Sequence, residues 1–325
     1  MIHFELPEEL IAQKPAYPRD SARLLVYDRS TKRIVDTVFS DLEKFLPLST
    51  TLVLNNSKVE HCRWIFHDGS IEVFVLSKIN TNVIKAMVRP GRKFKLGQKI
   101  ELEDKFIFEV LDIDKSGIRT LGLNVNHDSL ELKKYEHVPL PPYIKQDDSL
   151  AEEYQTVYAK PEGSKAAPTA GLHFTPRLLE HIGKKHSIAE VTLHVGLGTF
   201  APLTEEQIRE GKLHSEHYSI DQKNMDILRN AKHITAVGTT TTRTLESLPD
   251  LNSNNPAGWT DILITPGYKF KHVNSLITNF HLPGTSLLLL VEAFVGSEGE
   301  LQKIYDYAVL QKYRFYSFGD AMLII

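Results

Sequence analysis

The chain has 325 residues, 42% of them hydrophobic and 24% charged, with Lys+Arg 38 against Asp+Glu 41 and a formal net charge of -3. That length and apolar content can fill two domains, or one body carrying a large insertion, and the near balance of charge excludes a chain that coats nucleic acid over its whole surface while allowing a local basic face. Cys62 is the single cysteine, which excludes an internal disulfide, a cysteine-ligated iron–sulfur cluster and a cysteine-rich zinc site.

No run reaches the length of a membrane-spanning helix: the most apolar, Ser286 to Val291, meets Glu292 at once. The first residues, Met1 to Pro7, lack a basic region followed by an apolar one. The expectation is a cytoplasmic protein without a membrane partner.

In chain order, Pro7 to Ile11 suggests a short helix, Arg23 to Tyr27 a strand, Asp41 to Leu46 another short helix, and Thr51 to Asn55 a buried strand. The texture then changes. Ile71 to Val75, Ile84 to Val88, Lys99 to Leu102 and Phe106 to Val110 are short apolar or alternating runs, separated by turn signals such as Pro90-Gly91 and Leu96-Gly97. That spacing favours a small antiparallel β-barrel or sandwich. It ends at Pro139-Leu140-Pro141-Pro142-Tyr143, a stiff extended connector.

Beyond residue 150 helices and strands alternate. Thr175-Pro176 starts a helix, Ile188 to Leu193 is a strand, and Thr204 to Gln207 fits a capping box. Asp221 to Lys232 reads as an amphipathic helix, Ile234 to Val237 and Asp261 to Ile264 as strands. Ser286–Val295 and Glu300–Lys312 read as helices, and Ala321–Ile325 as a closing strand. The fold class is therefore mixed α/β: a main body of the α/β/α type made from residues 1–60 and 141–325, interrupted by a small antiparallel β-barrel over 61–140.

Polar groups gather in loops directly after these strands, where α/β proteins place their sites. Arg19-Asp20 with Arg23 suits a phosphate or carboxylate, or a surface ion pair. Thr169, Gly171 and His173 lie in a run of small residues leading to a helix start, which lets a ligand approach the backbone, although a capped loop reads much the same. His194, Gly196, Gly198 and Thr199 form a glycine-bearing turn without the third glycine of a dinucleotide fingerprint. His214 and His217 would meet on a helix face, but no third metal ligand is specified, and Glu216 is the better polar candidate. Gly238 with Thr239, Thr240 and Arg243 suits an anion or ribose, yet lacks the Gly-Lys-Ser/Thr ending of a P-loop. Asn279 and His281 precede a helix, and Arg314 and Asp320 flank Phe315, Tyr316 and Phe318, which either stack on a base or fill the core.

Taken together, these segments resemble the S-adenosylmethionine:tRNA ribosyltransferase-isomerase family of queuosine biosynthesis. The similar stretches are Leu10 to Gln13 with Arg19-Asp20, Tyr154 to Ala159, Ala166 to Thr175, His194 to Phe200, His214 to Glu216, Ala236 to Ser247, Pro266 to Lys271, Asn279 to Pro283 and Tyr313 to Ile324. They run in order along nearly the whole chain. Two departures stand out. Asn55-Asn56-Ser57-Lys58 replaces the family's usual Asn-Asp-Thr-Arg, and Glu153 replaces an arginine before the Tyr154 motif.

The resemblance implies transfer of the ribosyl group of S-adenosylmethionine to 7-aminomethyl-7-deazaguanine at the tRNA wobble position. The product is epoxyqueuosine in tRNA, and adenine and methionine leave. S-adenosylmethionine is then a co-substrate; no other cofactor and no metal is implied, and a monomer is expected. Candidate catalytic groups for the proton transfers are His173, Glu216, His281 and Asp320, with His173 first as base and His194 also considered. Candidate substrate-binding residues are Arg19, Asp20, Thr169, Gly171, His194, Gly196, Gly198, Thr199, His214, Thr239, Thr240, Arg243, Asn279 and Arg314. Arg89, Arg92, Lys93 and Lys95, the most basic stretch, are expected to meet anticodon-arm phosphates; a solvated hairpin turn is the plainer reading. The competing readings are a metal-dependent hydrolase on His214, His217 and His281, a non-catalytic RNA-binding module, and a methyltransferase. The last lacks the glycine-rich loop that its first strand should lead to.

Overall fold

The computed structural model describes residues 2–196, 198, 203–253 and 256–325. The chain divides into two compact units, Met1–Val59 with Leu140–Ile325, and Glu60–Pro139.

The first unit begins with β1 (Arg23–Asp28), the antiparallel β2 (Arg33–Val38), β3 (Thr50–Asn55) and a two-residue β4 (Lys58–Val59). The second unit then supplies β5 (Arg63–Phe66), β6 (Ile71–Asn80), β7 (Val83–Arg89), β8 (Lys99–Glu101), β9 (Ile107–Ile113), β10 (Arg119–Leu123), a one-turn α1 (Leu130–Lys133) and β11 (Glu136–His137). These strands form one antiparallel sheet in the order β11-β5-β6-β7-β10-β9-β8. β5 and β9 are four positions apart, yet Trp64 and Phe66 on β5 reach Phe108 on β9 with ring centroids 6.1 and 5.7 Å apart. With strands about 4.8 Å apart, such contacts require the sheet to curl around its own core. The result is a half-barrel, and the barrel expected from the sequence takes this open form.

Back in the first unit, β12 (Glu162–Ser164) pairs with β4. There follow α2 (Pro176–Gly183), β13 (Ser187–Leu193), α3 (Glu205–Glu210), β14 (Lys212–Ser219), α4 (Gln222–Arg229), β15 (His233–Val237), α5 (Thr239–Ser247), β16 (Ala257–Ile262) and β17 (Ser275–Asn279). α6 (Ser286–Val295), α7 (Glu298–Leu310) and β18 (Ala321–Ile324) close the chain. One nine-stranded sheet results, in the order β16-β14-β13-β3-β15-β17-β18-β1-β2. Its central strands β3, β15, β17, β18 and β1 are apolar on both faces. Leu25, Val53, Leu276 and Met322 join a core beneath α5, α6 and α7, and their neighbours Leu24, Leu52, Leu54, Ile277 and Leu323 join Phe39, Phe174, Leu178 and Ile182 on the other side. A period of two with both positions buried is what a sheet covered on both faces demands.

The strand directions place the polar loops. β13, β3, β15 and β17 are parallel, whereas β18 is antiparallel to β17 and parallel to β1. The carboxyl ends of the four parallel strands therefore share one edge with the amino ends of β18 and β1.

Several local readings differ from the structure. The segment with His214 and His217 is strand β14, not helix, so side chains three apart point to opposite faces. A metal site on those two rings is corrected accordingly, and among the described residues no group of three His, Cys, Asp or Glu stands close enough to hold an ion. The two short helices near the amino terminus are 3-10 turns, Glu8–Leu10 and Phe39–Lys44. No helix among the described residues is long and apolar enough to cross a membrane.

A candidate active-site cleft at the carboxyl edge of the sheet

A cleft opens at that shared edge. Its walls come from Ala167 to Ala170, Val195 after β13, Gly238 to Thr240 after β15, Thr278 and Asn279 at the end of β17, His281, and the aromatic pair Tyr143 and Tyr316.

The backbone there is built for close approach. Gly238, at φ +91°, turns β15 directly into α5, and such a φ favours glycine. Tyr316 also adopts a positive φ, +70°, a costly conformation for a ring-bearing residue. It is enforced by the tight return of residues 313–320. Gly319 N–H donates to Tyr316 O at 3.0 Å, and a Cβ on Gly319 would lie 2.5 Å from Arg314 O. The same turn buries Phe315 and Phe318, so those two rings belong to the core, and Tyr316 is the aromatic presented to the cleft.

Of the four catalytic candidates, His281 alone lines the cleft. Its Nε2 lies 2.8 Å from Thr278 Oγ1, and burial pushes its pKa down to about 4. His173 sits behind the wall, its ring 5.0 Å from Phe39, and accepts a hydrogen bond at 3.3 Å from Asn279 Nδ2. Burial, then the Arg314 and Arg19 cations, hold it down at about 3, so it is neutral.

The two carboxylates are already engaged. Glu216 pairs with Arg243, both nearly buried, and its Oε1 accepts from Gly196 N–H at 2.7 Å. Removing one member of so buried a pair leaves the other charge uncompensated. Asp320 accepts from the backbone N–H of Arg23 at 3.1 Å and of Arg314 at 2.8 Å, and from Arg314 Nη2 at 3.2 Å. Arg314 also reaches Lys14 O.

The binding candidates divide in the same way. Thr169, Thr239, Thr240 and Asn279 line the cleft. Arg19 is spent on Glu153 and on Glu152 O and Gln155 O. The unusual Glu153 thus answers a guanidinium within the fold. Asp20 accepts from Thr175 Oγ1 at 2.9 Å. Gly171 is required for another reason than ligand approach: a Cβ there would sit 2.0 Å from Tyr158 Oη. His194 packs on Gly163, whose Cβ would lie 2.7 Å from its Nδ1, and a Cβ on Gly198 would be 2.6 Å from the ring of His214, itself an exposed residue. Thr199 falls outside the described residues.

The other departure is also satisfied internally. Asn55 knits β3 to β13 through Leu193 O and Leu193 N–H, Asn56 bridges Glu190 and Thr192, and Lys58 pairs with Glu162. Tyr143, Thr278, Tyr316 and Ser317 line the cleft without having been singled out individually. Tyr143 lay in a proline-rich connector, and Tyr316 in an aromatic run whose outward member the sequence does not mark.

In the second unit Arg89, Arg92, Lys93 and Lys95 are exposed and make no ion pair among the described residues. Buried Phe94 anchors their loop, and Arg119 holds it through Phe94 O and Gly91 O while also donating to Gly117 O in its own turn.

A family model described as "Queuosine biosynthesis protein" matches residues 1–324. The chain belongs to that family. It is 45% identical to the S-adenosylmethionine:tRNA ribosyltransferase-isomerase of Sulfurihydrogenibium sp. (strain YO3AOP1), over 99% of this chain and 98% of the relative. It is also 45% identical, with the same coverage, to the protein of that name in Thermotoga petrophila. A crystal structure of S-adenosylmethionine tRNA ribosyltransferase from Thermotoga maritima is similar over 99% of both chains, at 36% identity and a TM-score of 0.56. The likeness thus spans both units and the cleft.

Proposed function

We propose that this protein is an S-adenosylmethionine:tRNA ribosyltransferase-isomerase. In this reading the ribosyl group of S-adenosylmethionine passes to the aminomethyl nitrogen of 7-aminomethyl-7-deazaguanine at the tRNA wobble position. Epoxyqueuosine forms in tRNA, and adenine and methionine are released. The observation that carries the reading is relatedness at 45% identity along the whole chain to enzymes of that name.

The cleft suits the co-substrate. Tyr143 and Tyr316 offer aromatic faces to a sulfonium or an adenine ring, and Thr239 and Thr240 lie at a helix start that favours negative charge. The sulfonium acidifies the adjoining 5′ carbon, and the departing adenine needs a proton or a hydrogen bond. His281, neutral and in the cleft, is the acid/base group we assign to these steps, shared with Thr278 Oγ1. His173 acts through Asn279 as a positioning residue, while Glu216, Arg243, Asp320 and Arg314 hold the loops. The exposed cations Arg89, Arg92, Lys93 and Lys95 contact tRNA phosphates, and the wobble base, in a single-stranded loop, can be splayed out for reaction.

The test is incubation of the protein with S-adenosylmethionine and tRNA carrying the deazaguanine amine, followed by nucleoside mass spectrometry. Epoxyqueuosine with matching adenine and methionine is the expected result. A methylated base with S-adenosylhomocysteine would replace this reading by methyl transfer, and binding of tRNA without any product would favour an RNA-binding module.

A further inference from the structure

Two groups in the cleft find no partner among the described residues. The first is the start of α5. No side chain caps it, and its first intrahelical bond runs from Thr242 N–H to Gly238 O. The N–H groups of Thr239, Thr240 and Thr241 consequently have no acceptor within the helix. The hydroxyls of Thr241 and Thr242 turn back onto Val237 O and Gly238 O at 2.6 and 3.1 Å, so they do not cap those donors, which stay open among the described residues. Open N–H groups at the positive end of a nine-residue helix suit a carboxylate.

The second is Asn279, 2% exposed, at the end of the adjacent strand β17. Its amide nitrogen donates to His173 Nε2 at 3.3 Å and to Tyr316 O at 3.1 Å. Both hydrogens are thereby spent, which fixes the orientation of the group. Its Oδ1 is buried without a partner among the described residues, and Asn279 lines the same cleft. A buried acceptor left without a donor is costly, and a ligand hydrogen would relieve it.

The donors follow β15 and the acceptor stands on the last residue of β17, and these two strands are paired neighbours with backbones roughly 5 Å apart. A carboxylate and an ammonium on the same carbon match that pair. The adenine amine of S-adenosylmethionine lies at the opposite end of the molecule from the carboxylate and cannot meet the same two groups in an extended pose. We infer that the α5 N-terminus and Asn279 clamp the α-amino-acid end of S-adenosylmethionine, the carboxylate on Thr239–Thr241 N–H and the α-ammonium on Asn279 Oδ1. This rests on the cleft being the S-adenosylmethionine site, as proposed above. Methionine is then the anchored leaving fragment, and the ribose projects away from the clamp toward the acceptor amine.

The test is titration calorimetry of the full chain with three ligands: S-adenosylmethionine, its decarboxylated analogue, and the analogue with a 2-oxo group in place of the amine. The wild type binds each analogue at least about tenfold more weakly. In Asn279→Ala the 2-oxo analogue loses its extra penalty and the decarboxylated one keeps it. Thr239→Pro removes one N–H at a helix position that accepts proline, and it reduces only the penalty for the missing carboxylate. Thermal melts confirm that each variant is folded, and the wild-type comparison requires no variant. Equal affinity of the wild type for all three ligands, or penalties unchanged in both variants, overturns the clamp while leaving the activity intact. A wild type that binds no S-adenosylmethionine and makes no epoxyqueuosine overturns the proposed function, and the clamp with it.

Discussion

His173 and His281 are held neutral by the solvation that burial removes: the first is pushed down to about 3 and the second to about 4. Their neutrality has a function, because an unprotonated His173 Nε2 is what accepts from Asn279. It also has a signature in stability. The folded state refuses a proton that the unfolded chain takes near pH 6.5, so this contribution is complete above that value. As pH falls the unfolded chain gains protons first, and stability drops until the folded pKa values are reached. Between pH 7 and 5 each ring lowers stability by about 2 kcal/mol. Urea denaturation of the wild type, His173→Gln and His281→Gln across that range measures it. Each variant should lose one ring's share of the slope, and an unchanged slope in both would show that these rings titrate normally.

At the scale of elements, the basic loop after β7 is held from beneath, by Phe94 in the core and by Arg119 on two of its carbonyls, Gly91 O and Phe94 O. Its cations therefore project from a held backbone, and among the described residues they have no carboxylate to release. Replacing Arg92, Lys93 and Lys95 by Gln should weaken tRNA binding and reduce the salt-dependence slope by roughly one for each phosphate that is no longer neutralised. Filter binding over a salt series tests this, and an unaltered slope would leave the loop a solvated turn.

The same scale shows what the sequence could reveal. β3, β13, β15, α6 and β18 were legible because their burial follows from continuous apolar runs or from caps within the segment. The loops after β13, β15 and β17 were legible because polar residues follow each apolar strand run directly, and parallel strands carry such loops to one edge. β14 was not, since its His, Glu and Tyr match helical and strand spacing equally over so short a run. Which site residues face the cleft depended on partners far away in sequence: Arg19 on Glu153, Glu216 on Arg243, and Gly171 beneath Tyr158. No local pattern encodes those pairings.

At the scale of the whole molecule, each unit carries one of the two tryptophans. Trp64 is buried in the second unit beside Phe108, whereas Trp259 is exposed on β16. The core around Trp64 is drawn wholly from residues of its own unit, and among the described residues every α-helix but the one-turn α1 belongs to the other. Two probes therefore report two cores. In Trp259→Phe the fluorescence follows Trp64 alone, and the far-ultraviolet helical signal follows the body. Adding Phe108→Ala cuts a large cavity, worth about 3–5 kcal/mol, into the smaller core only. If the units unfold independently, the fluorescence midpoint in urea falls while the helical midpoint stays, and the two transitions cease to coincide. A joint shift of both signals would instead mean that the two cores melt as one cooperative unit.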